Sequence, residues 1–449
     1  MKASEVKNIL SRNILADGFD VIMDLDKSKG SWIVDQRDGS KHLDMFTMYA
    51  SASIGYNNPK IHSMKDELVK AAIHKPTLSD LYNTMFAECM ETFNKIAIPN
   101  YLKHTFFIEG GALAVENALK IAFDWKVRKN LEKDIAESDT KIIHFKQAFH
   151  GRTGYTLSLT NTTDPRKTMY FPKFNWPRID NPSISFPLNS TNLEIVKQKE
   201  LKAVEQIKNA LLENPNKIAG LIIEPIQGEG GDNHFRCRFF EKLKELSEEN
   251  EFLLIYDEVQ TGIGITGKMW AHQHFTPDLC PCDKTIKRAP LPDIISFGKK
   301  TQVCGLLAGE RILEVDKNVF HESSRINSTF GGNLVDMVRF KGILELIEEE
   351  NLIDNAKKMG EYLLKELKEL MNEYPGYITN ARGLGLFCAF DLPSGTERDD
   401  LWHEMMRNNL LILPSGDHSI RFRPHLNVLK EDIDTAISIL KKSISNCLK

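Results

Sequence analysis

Through the middle of this 449-residue chain, short unbroken apolar runs alternate with stretches whose apolar residues recur every three or four positions. The runs Thr105 to Ile108, Lys141 to Phe145, Gly220 to Glu224, Phe252 to Tyr256, Asp293 to Ser296 and Gly305 to Gly309 are predicted strands. A strand with one wet face alternates apolar and polar residues, whereas a strand covered on both faces reads as a continuous apolar run. The covers are a predicted helix through Leu113, Leu119, Ile121 and Trp125, and others over about 197–213 and 238–250. The expected fold class is α/β, with a doubly wound, mostly parallel sheet.

The flanks read differently. Val21 to Asp26 and Ser31 to Asp35 bracket a turn signal at Lys27 to Gly30, and Arg37 to Ser40 is a second one before His42 to Phe46. After Gly331, Gly332 and Asn333 comes a long amphipathic helix, then a second from about Asn355 to Glu373, a strand from Gly383 to Phe390 and a closing helix from about Glu431. The expected division is a large domain over 76–325 and a smaller α+β domain over 326–449. The segment 1–75, too small for a core of its own, is expected to pack with the small domain.

Composition narrows the function classes. A hydrophobic share of 41%, a charged share of 27% and a net charge of −4 suit a globular protein with a large core. They offer no basic field for nucleic acid or an anionic membrane, and no run reaches membrane-spanning length. The seven cysteines lack any Cys-x-x-Cys pair, and Cys280 and Cys282 read as loop residues. No metal site or disulfide framework is expected, and a cytoplasmic location is.

Candidate chemistry gathers where the predicted strands end. Asp293 to Ser296 leads through Gly298 into Lys299 and Lys300. An exposed turn would account for two lysines, but a desolvated one loses its proton readily and can form a Schiff base. Gly110, Gly111 and Ala112 stand between a strand and a helix, where backbone N–H groups can hold an anion or glycine can simply serve a tight turn. Phe149, His150, Gly151 and Arg152 follow another strand, offering a ring to stack on a flat ligand and a guanidinium to clamp a carboxylate. Asp257 ends the run Phe252 to Tyr256, where a buried acid needs a cation or donor; a protonated pyridine nitrogen is one such partner, and a helix cap another. No Walker A pattern is present, and the usual nucleotide readings lose ground.

Taken together, Asp257 to Gly262, Asp293 to Lys299, Glu224 to Gly231 and Arg421 to Leu426 resemble the class III aminotransferases of pyridoxal-phosphate fold type I, over almost the whole chain. Phe297 to Gly305 and Ser324 to Asn333 are most similar to the L-lysine 6-aminotransferase branch of that class. The resemblance implies pyridoxal 5′-phosphate as cofactor. Lys300, the second lysine, would carry it as an imine, since adjacent side chains on an extended segment face opposite ways and only one can reach it. Asp257 would pair with the pyridine nitrogen, Gln260 would reach the phenolic oxygen, and Phe149 would stack on the ring beside His150. Gly111 and Ala112 would hold the phosphate, with Ser328 and Thr329 added from the neighbouring subunit of a homodimer.

The implied reaction moves the terminal amine of L-lysine to 2-oxoglutarate, the runner-up being another ω-aminotransferase for ornithine or 4-aminobutyrate. Arg421 would bind the carboxylate beside the reacting carbon and pair with Glu229 when lysine, which has none there, is bound. Arg152 would hold the distal carboxylate, with Gln260 and Asn327 also facing the substrate. The chain departs from the class pattern in its long connection over 272–292 and in its paired lysines, so the choice of Lys300 rests on the branch match.

Overall fold

The computed structural model describes residues 1–75, 81–137, 139–279 and 286–449. Its centre is a seven-stranded sheet. In spatial order the strands are His104–Ile108, Cys304–Ala308, Ile294–Phe297, Leu253–Asp257, Ile218–Ile223, Lys141–Phe145 and Arg178–Ile179. Cys304–Ala308 runs antiparallel to both its neighbours, and the remaining pairs are parallel.

Successive side chains on these strands go to opposite sides, and both sides are apolar. Ile142, Ile222, Leu253, Ile255, Ile294 and Leu306 pack on one face with Val115, Leu119 and Trp125 of the helix Gly111–Leu131. Ile143, Leu221, Ile223, Leu254, Tyr256, Ile295 and Leu307 pack on the other with Phe239, Phe240 and Leu243 of the helix Cys237–Glu249. That division is why the sequence shows continuous runs. Truncating one such residue, Leu254→Ala for example, is expected to cost about 2–5 kcal/mol.

Helix Leu334–Glu349 also leans on the sheet. Its Phe340 lies 5.0 Å from Phe93, whose ring lies 5.5 Å from Phe297 on the strand that leads into the lysines. Beyond it, Thr379–Leu384, Phe387–Asp391, Ser419–Phe422 and Leu413–Ser415 form a four-stranded antiparallel sheet. The helices Leu352–Glu373, Gly395–Arg407 and Lys430–Cys447 accompany it. Leu410–Leu411 pairs with Lys41–Asp44, joining the N-terminal strands to this C-terminal part in one sheet.

The first predicted hairpin shrinks to isolated bridges, Met23 to Asp35 and Lys29 to Trp32, while the second forms as Trp32–Val34 against Lys41–Asp44. The Asp24 carboxylate explains the loss: it accepts N–H bonds from Asp26 and Lys27, a local alternative to ladder pairing. Cys237 is disulfide-bonded, which the scattered cysteine spacing did not announce. Cys280 and Cys282 lie outside the described residues, as does part of the 272–292 connection.

Candidate active site

The parallel strands Ile218–Ile223, Leu253–Asp257 and Ile294–Phe297 deliver Glu224, Asp257 and the segment Gly298 to Lys300 to one edge of the sheet. Ligands of open α/β sheets bind at that carboxyl edge.

Asp257 is 5% exposed. His150 Nδ1 lies 2.7 Å from its Oδ2, and its Oδ1 accepts from the Val259 N–H at 3.1 Å and from Ser296 Oγ at 3.2 Å. His150 therefore supports the acid rather than standing apart, and its buried Nε2 has no partner. Glu224 accepts the N–H groups of Phe149 and Gly228, tying the Phe149 loop to the strand end. Its complete burial pushes its carboxyl up to about 7, with the nearby Asp257 adding to the rise.

Gln260 is oriented from behind. Arg423, gripped by Asp232 at 2.9 and 2.6 Å, donates from Nε to Gln260 Oε1 at 3.0 Å, which leaves the amide N–H groups to face the cleft. A Cβ on Gly228 would fall 2.3 Å from Gln260 Oε1, so a side chain there would displace the Gln260 amide.

The helix Gly111–Leu131 starts at Gly110, with φ +95°, and no side chain caps its first turn. The N–H groups of Gly111 and Ala112 and the positive end of the helix dipole are thus left for an anion. Gly151 lets the Phe149–His150 loop close on this turn, since a Cβ there would sit 2.5 Å from Ala112 Cβ.

The lysine assignment changes. Lys300 is fully buried and donates from Nζ to the Gln260 carbonyl at 2.6 Å. Burial, then Lys299 and Arg423, hold its amine well below the ordinary lysine range, and the acid near it is Glu258. Lys299 instead lines a pocket of about 590 Å³ with Gly110, Gly111, Ser51 and Asn333. Desolvation and the neighbouring Arg421 lower its amine to about 8, against the pull of Glu229 and Asp257. The expectation for Lys300 assumed an extended segment, but Lys299 has φ +53° in a 3-10 turn spanning Lys299–Thr301. That left-handed residue, costing about 1–3 kcal/mol, sends the first side chain into the cleft and the second beneath it.

Thr47 to Ala50 also have positive φ, from +48° to +67°. Asp44 accepts the N–H groups of Phe46 and Thr47, and Thr47 Oγ1 donates to the Arg423 carbonyl, which together hold this turn. It puts the Tyr49 ring 5.9 Å from Lys299 Nζ. No sequence signal marked either feature, because left-handed turns without glycine have no composition cue.

The carboxylate-binding end is built from side chains. Arg421 Nη2 meets Glu229 Oε2 at 2.7 Å, while Arg421 Nε and Nη1 are buried without partners among the described residues. Arg421 and a lysine missed in the sequence, Lys167 at 2.5 Å from Glu229 Oε1, hold the Glu229 carboxyl down at about 2 despite burial. Arg152 is exposed, lies 5.8 Å from the Phe149 ring, and has no ion-pair partner among the described residues. Asn327 and Thr329 are exposed and Ser328 half-buried, and none of the three lines the Lys299 pocket.

The donor set fits pyridoxal phosphate. An uncapped helix start suits the phosphate, a buried carboxylate the pyridine nitrogen, an oriented amide the phenolic oxygen and Lys299 the aldehyde. The Lys299 pocket borders Gly110 and Gly111, while Asp257, Gln260, Phe149 and Arg421 lie outside its lining.

The family model for aminotransferase class-III matches residues 15–444. An L-lysine-epsilon aminotransferase of Mycobacterium tuberculosis is 46% identical over 443 residues, covering 98% of this chain and 95% of that protein. Its counterpart from Amycolatopsis lactamdurans is 43% identical over 448 residues, covering 99% and 96%. A solved structure described as lysine aminotransferase from M. tuberculosis in the internal aldimine form superposes with TM-score 0.94 at 45% identity, covering both chains completely. Match and geometry agree, and the chain belongs to the class-III aminotransferases.

Proposed function

We propose that this aminotransferase moves the 6-amino group of L-lysine to 2-oxoglutarate, giving 2-aminoadipate 6-semialdehyde and L-glutamate, with pyridoxal phosphate as cofactor. The observation that carries the lysine reading is the Glu229–Arg421 ion pair at 2.7 Å, close to Lys299. A donor whose reacting carbon bears no carboxylate leaves Arg421 unpaired, and an unpaired buried guanidinium costs several kcal/mol. Glu229 removes that cost. Relatives of near-equal length bearing the name L-lysine-epsilon aminotransferase support the same reading.

Bound pyridoxal phosphate supplies the electron sink for the pair left when the substrate carbon loses its proton. Lys299 Nζ would hold the cofactor's aldehyde and, once free, would take the proton from the substrate carbon. Its lowered pKa leaves about a tenth of it in the basic form at pH 7 and half near pH 8. Asp257, fixed by His150 and Ser296, would pair with the ring nitrogen. Gln260 would donate to the phenolic oxygen, and Phe149 would stack on the ring. With lysine bound, Arg421 stays on Glu229 and Arg152 takes the far carboxylate. With glutamate or 2-oxoglutarate bound, Arg421 turns its free donors to the near carboxylate and Arg152 holds the distal one.

The minimum active unit is a homodimer, in which half-buried Ser328 and exposed Thr329 complete the phosphate site of the other subunit and Asn327 faces its substrate. The test of the reaction is product identification with lysine and 2-oxoglutarate. An aldehyde that cyclises to an imine is expected. A 2-oxo acid from lysine, or faster half-reactions with ornithine or 4-aminobutyrate, would defeat the proposal.

A further inference from the structure

Glu229 is shared between two cations, and only one of them belongs to the carboxylate exchange described above. Its Oε2 meets Arg421 Nη2 at 2.7 Å and its Oε1 meets Lys167 Nζ at 2.5 Å. Lys167 closes the 3-10 turn Pro165–Lys167, whose cap Asp164 is engaged by the Arg166 N–H, Nε and Nη2. Glu229 is consequently the only carboxylate paired with Lys167 among the described residues. The lysine side chain is 17% exposed and its Nζ stands 5.9 Å from the Phe149 ring, so its head faces the same cleft as Arg152.

The exchange at Arg421 has an energetic difficulty. When a substrate carboxylate takes the guanidinium, Glu229 must give it up, and its side chain is only 23% exposed. Without another partner its charge would be stranded in a poorly solvated cleft, and the cost would be charged against dicarboxylate binding. Resting on the reading that Arg421 binds the carboxylate beside the reacting carbon, we propose that Lys167 is a positioning residue that retains Glu229 whenever a dicarboxylate occupies Arg421. Lys167 thereby sets the balance between the two half-reactions. It already holds one carboxylate oxygen, so Glu229 pivots about that contact instead of leaving for water. The same contact competes with Arg421 for Glu229 and loosens the pair that a dicarboxylate has to break.

The test uses the holoenzyme and its Lys167→Met and Lys167→Arg variants. In Lys167→Met the apparent KM for 2-oxoglutarate, relative to that for lysine, rises about tenfold, the scale of one lost charge-assisted contact. The affinity for glutarate, an unreactive dicarboxylate titrated calorimetrically, falls by a similar factor, and Lys167→Arg restores both. In a Glu229→Gln background the Lys167→Met effect disappears, because there is no charge left to retain. An unchanged KM ratio in Lys167→Met, equal losses for lysine and 2-oxoglutarate, or a loss that persists in Glu229→Gln overturns the proposal. Arg421→Gln separates the two levels: if it leaves glutarate binding intact, the reading of Arg421 fails. If glutarate binding is lost there but kept in Lys167→Met, the role of Lys167 alone fails.

Discussion

The two ends of the cleft hold charge in different ways. At the ring end every polar group has one fixed answer. Asp257 is fastened by His150, Ser296 and the Val259 N–H, and Gln260 is fastened by Arg423 from behind. The phosphate is left to backbone N–H groups that cannot rotate away. At the carboxylate end the contacts join one side chain to another and can be exchanged. Glu229 has two cations to choose from, Arg421 has unused donors, and Arg152 has no ion-pair partner among the described residues. A cofactor that never changes suits the first construction. Two substrates with carboxylates at different distances from the reacting carbon need the second.

The sharpest way to break this contrast is at the lysines, which differ by one residue but belong to different layers. Lys299→Ala is expected to lower both half-reactions by about 10³-fold or more, since it removes the proton carrier and the cofactor anchor together. The protein should also lose the visible absorbance of an imine-bound cofactor. Lys300→Met should keep that absorbance while losing stability, because it strands the Gln260 carbonyl that Lys300 now satisfies. Spectra of the two purified variants decide it. Colour lost in Lys300→Met and kept in Lys299→Ala would restore the assignment made from sequence.

That change from Lys300 to Lys299 marks where sequence reading stopped. The buried sheet was legible because two apolar faces leave no polar residue to interrupt a strand, as Leu253 to Tyr256 show. Asp257 and Gly111 stood out because each lies just past such a run, although a helix cap or a tight turn explained them equally well, and Gln260 came only from the family resemblance. The choice between Lys299 and Lys300 turned on a single φ angle, and nothing in a lysine pair announces a left-handed turn. Lys167 was invisible for another reason: it reaches Glu229 from 62 residues away in the chain, out of a surface turn with no motif. The turn at Thr47 to Ala50 is held by Asp44 and the Arg423 carbonyl, partners that only the folded chain brings together.

At the exchangeable end the next effect in size concerns Arg152. Arg152→Gln should reduce kcat/KM by about 10–100-fold for lysine and for 2-oxoglutarate alike, the scale of a hydrogen bond to a charged group. Equal losses are expected because both substrates present a distal carboxylate to this side chain. Steady-state kinetics with each substrate check it. A loss confined to one of them would move the distal site elsewhere and leave Arg152 outside the cleft's shared machinery.

The smallest effect tests whether the fixed end tunes its own amine. Only a neutral lysine attacks the cofactor aldehyde, and Lys299 in the cofactor-free protein is lowered to about 8. Its neutral fraction therefore climbs about tenfold between pH 7 and 9, and the rate of cofactor capture by apoenzyme should follow, half-maximal near 8. An unperturbed lysine would still be gaining about tenfold per pH unit at 9. The sign of the linked stability is fixed as well. A lysine lowered on folding binds fewer protons in the native state, so stability rises with pH from about 8 towards the ordinary value near 10.4. Glu229 raises this amine and Arg421 lowers it, so Glu229→Gln should move the midpoint of capture to lower pH and Arg421→Gln to higher pH. Opposite displacements would show that the exchangeable end sets the working pH of the fixed one, while a midpoint indifferent to both would mean the two ends act independently.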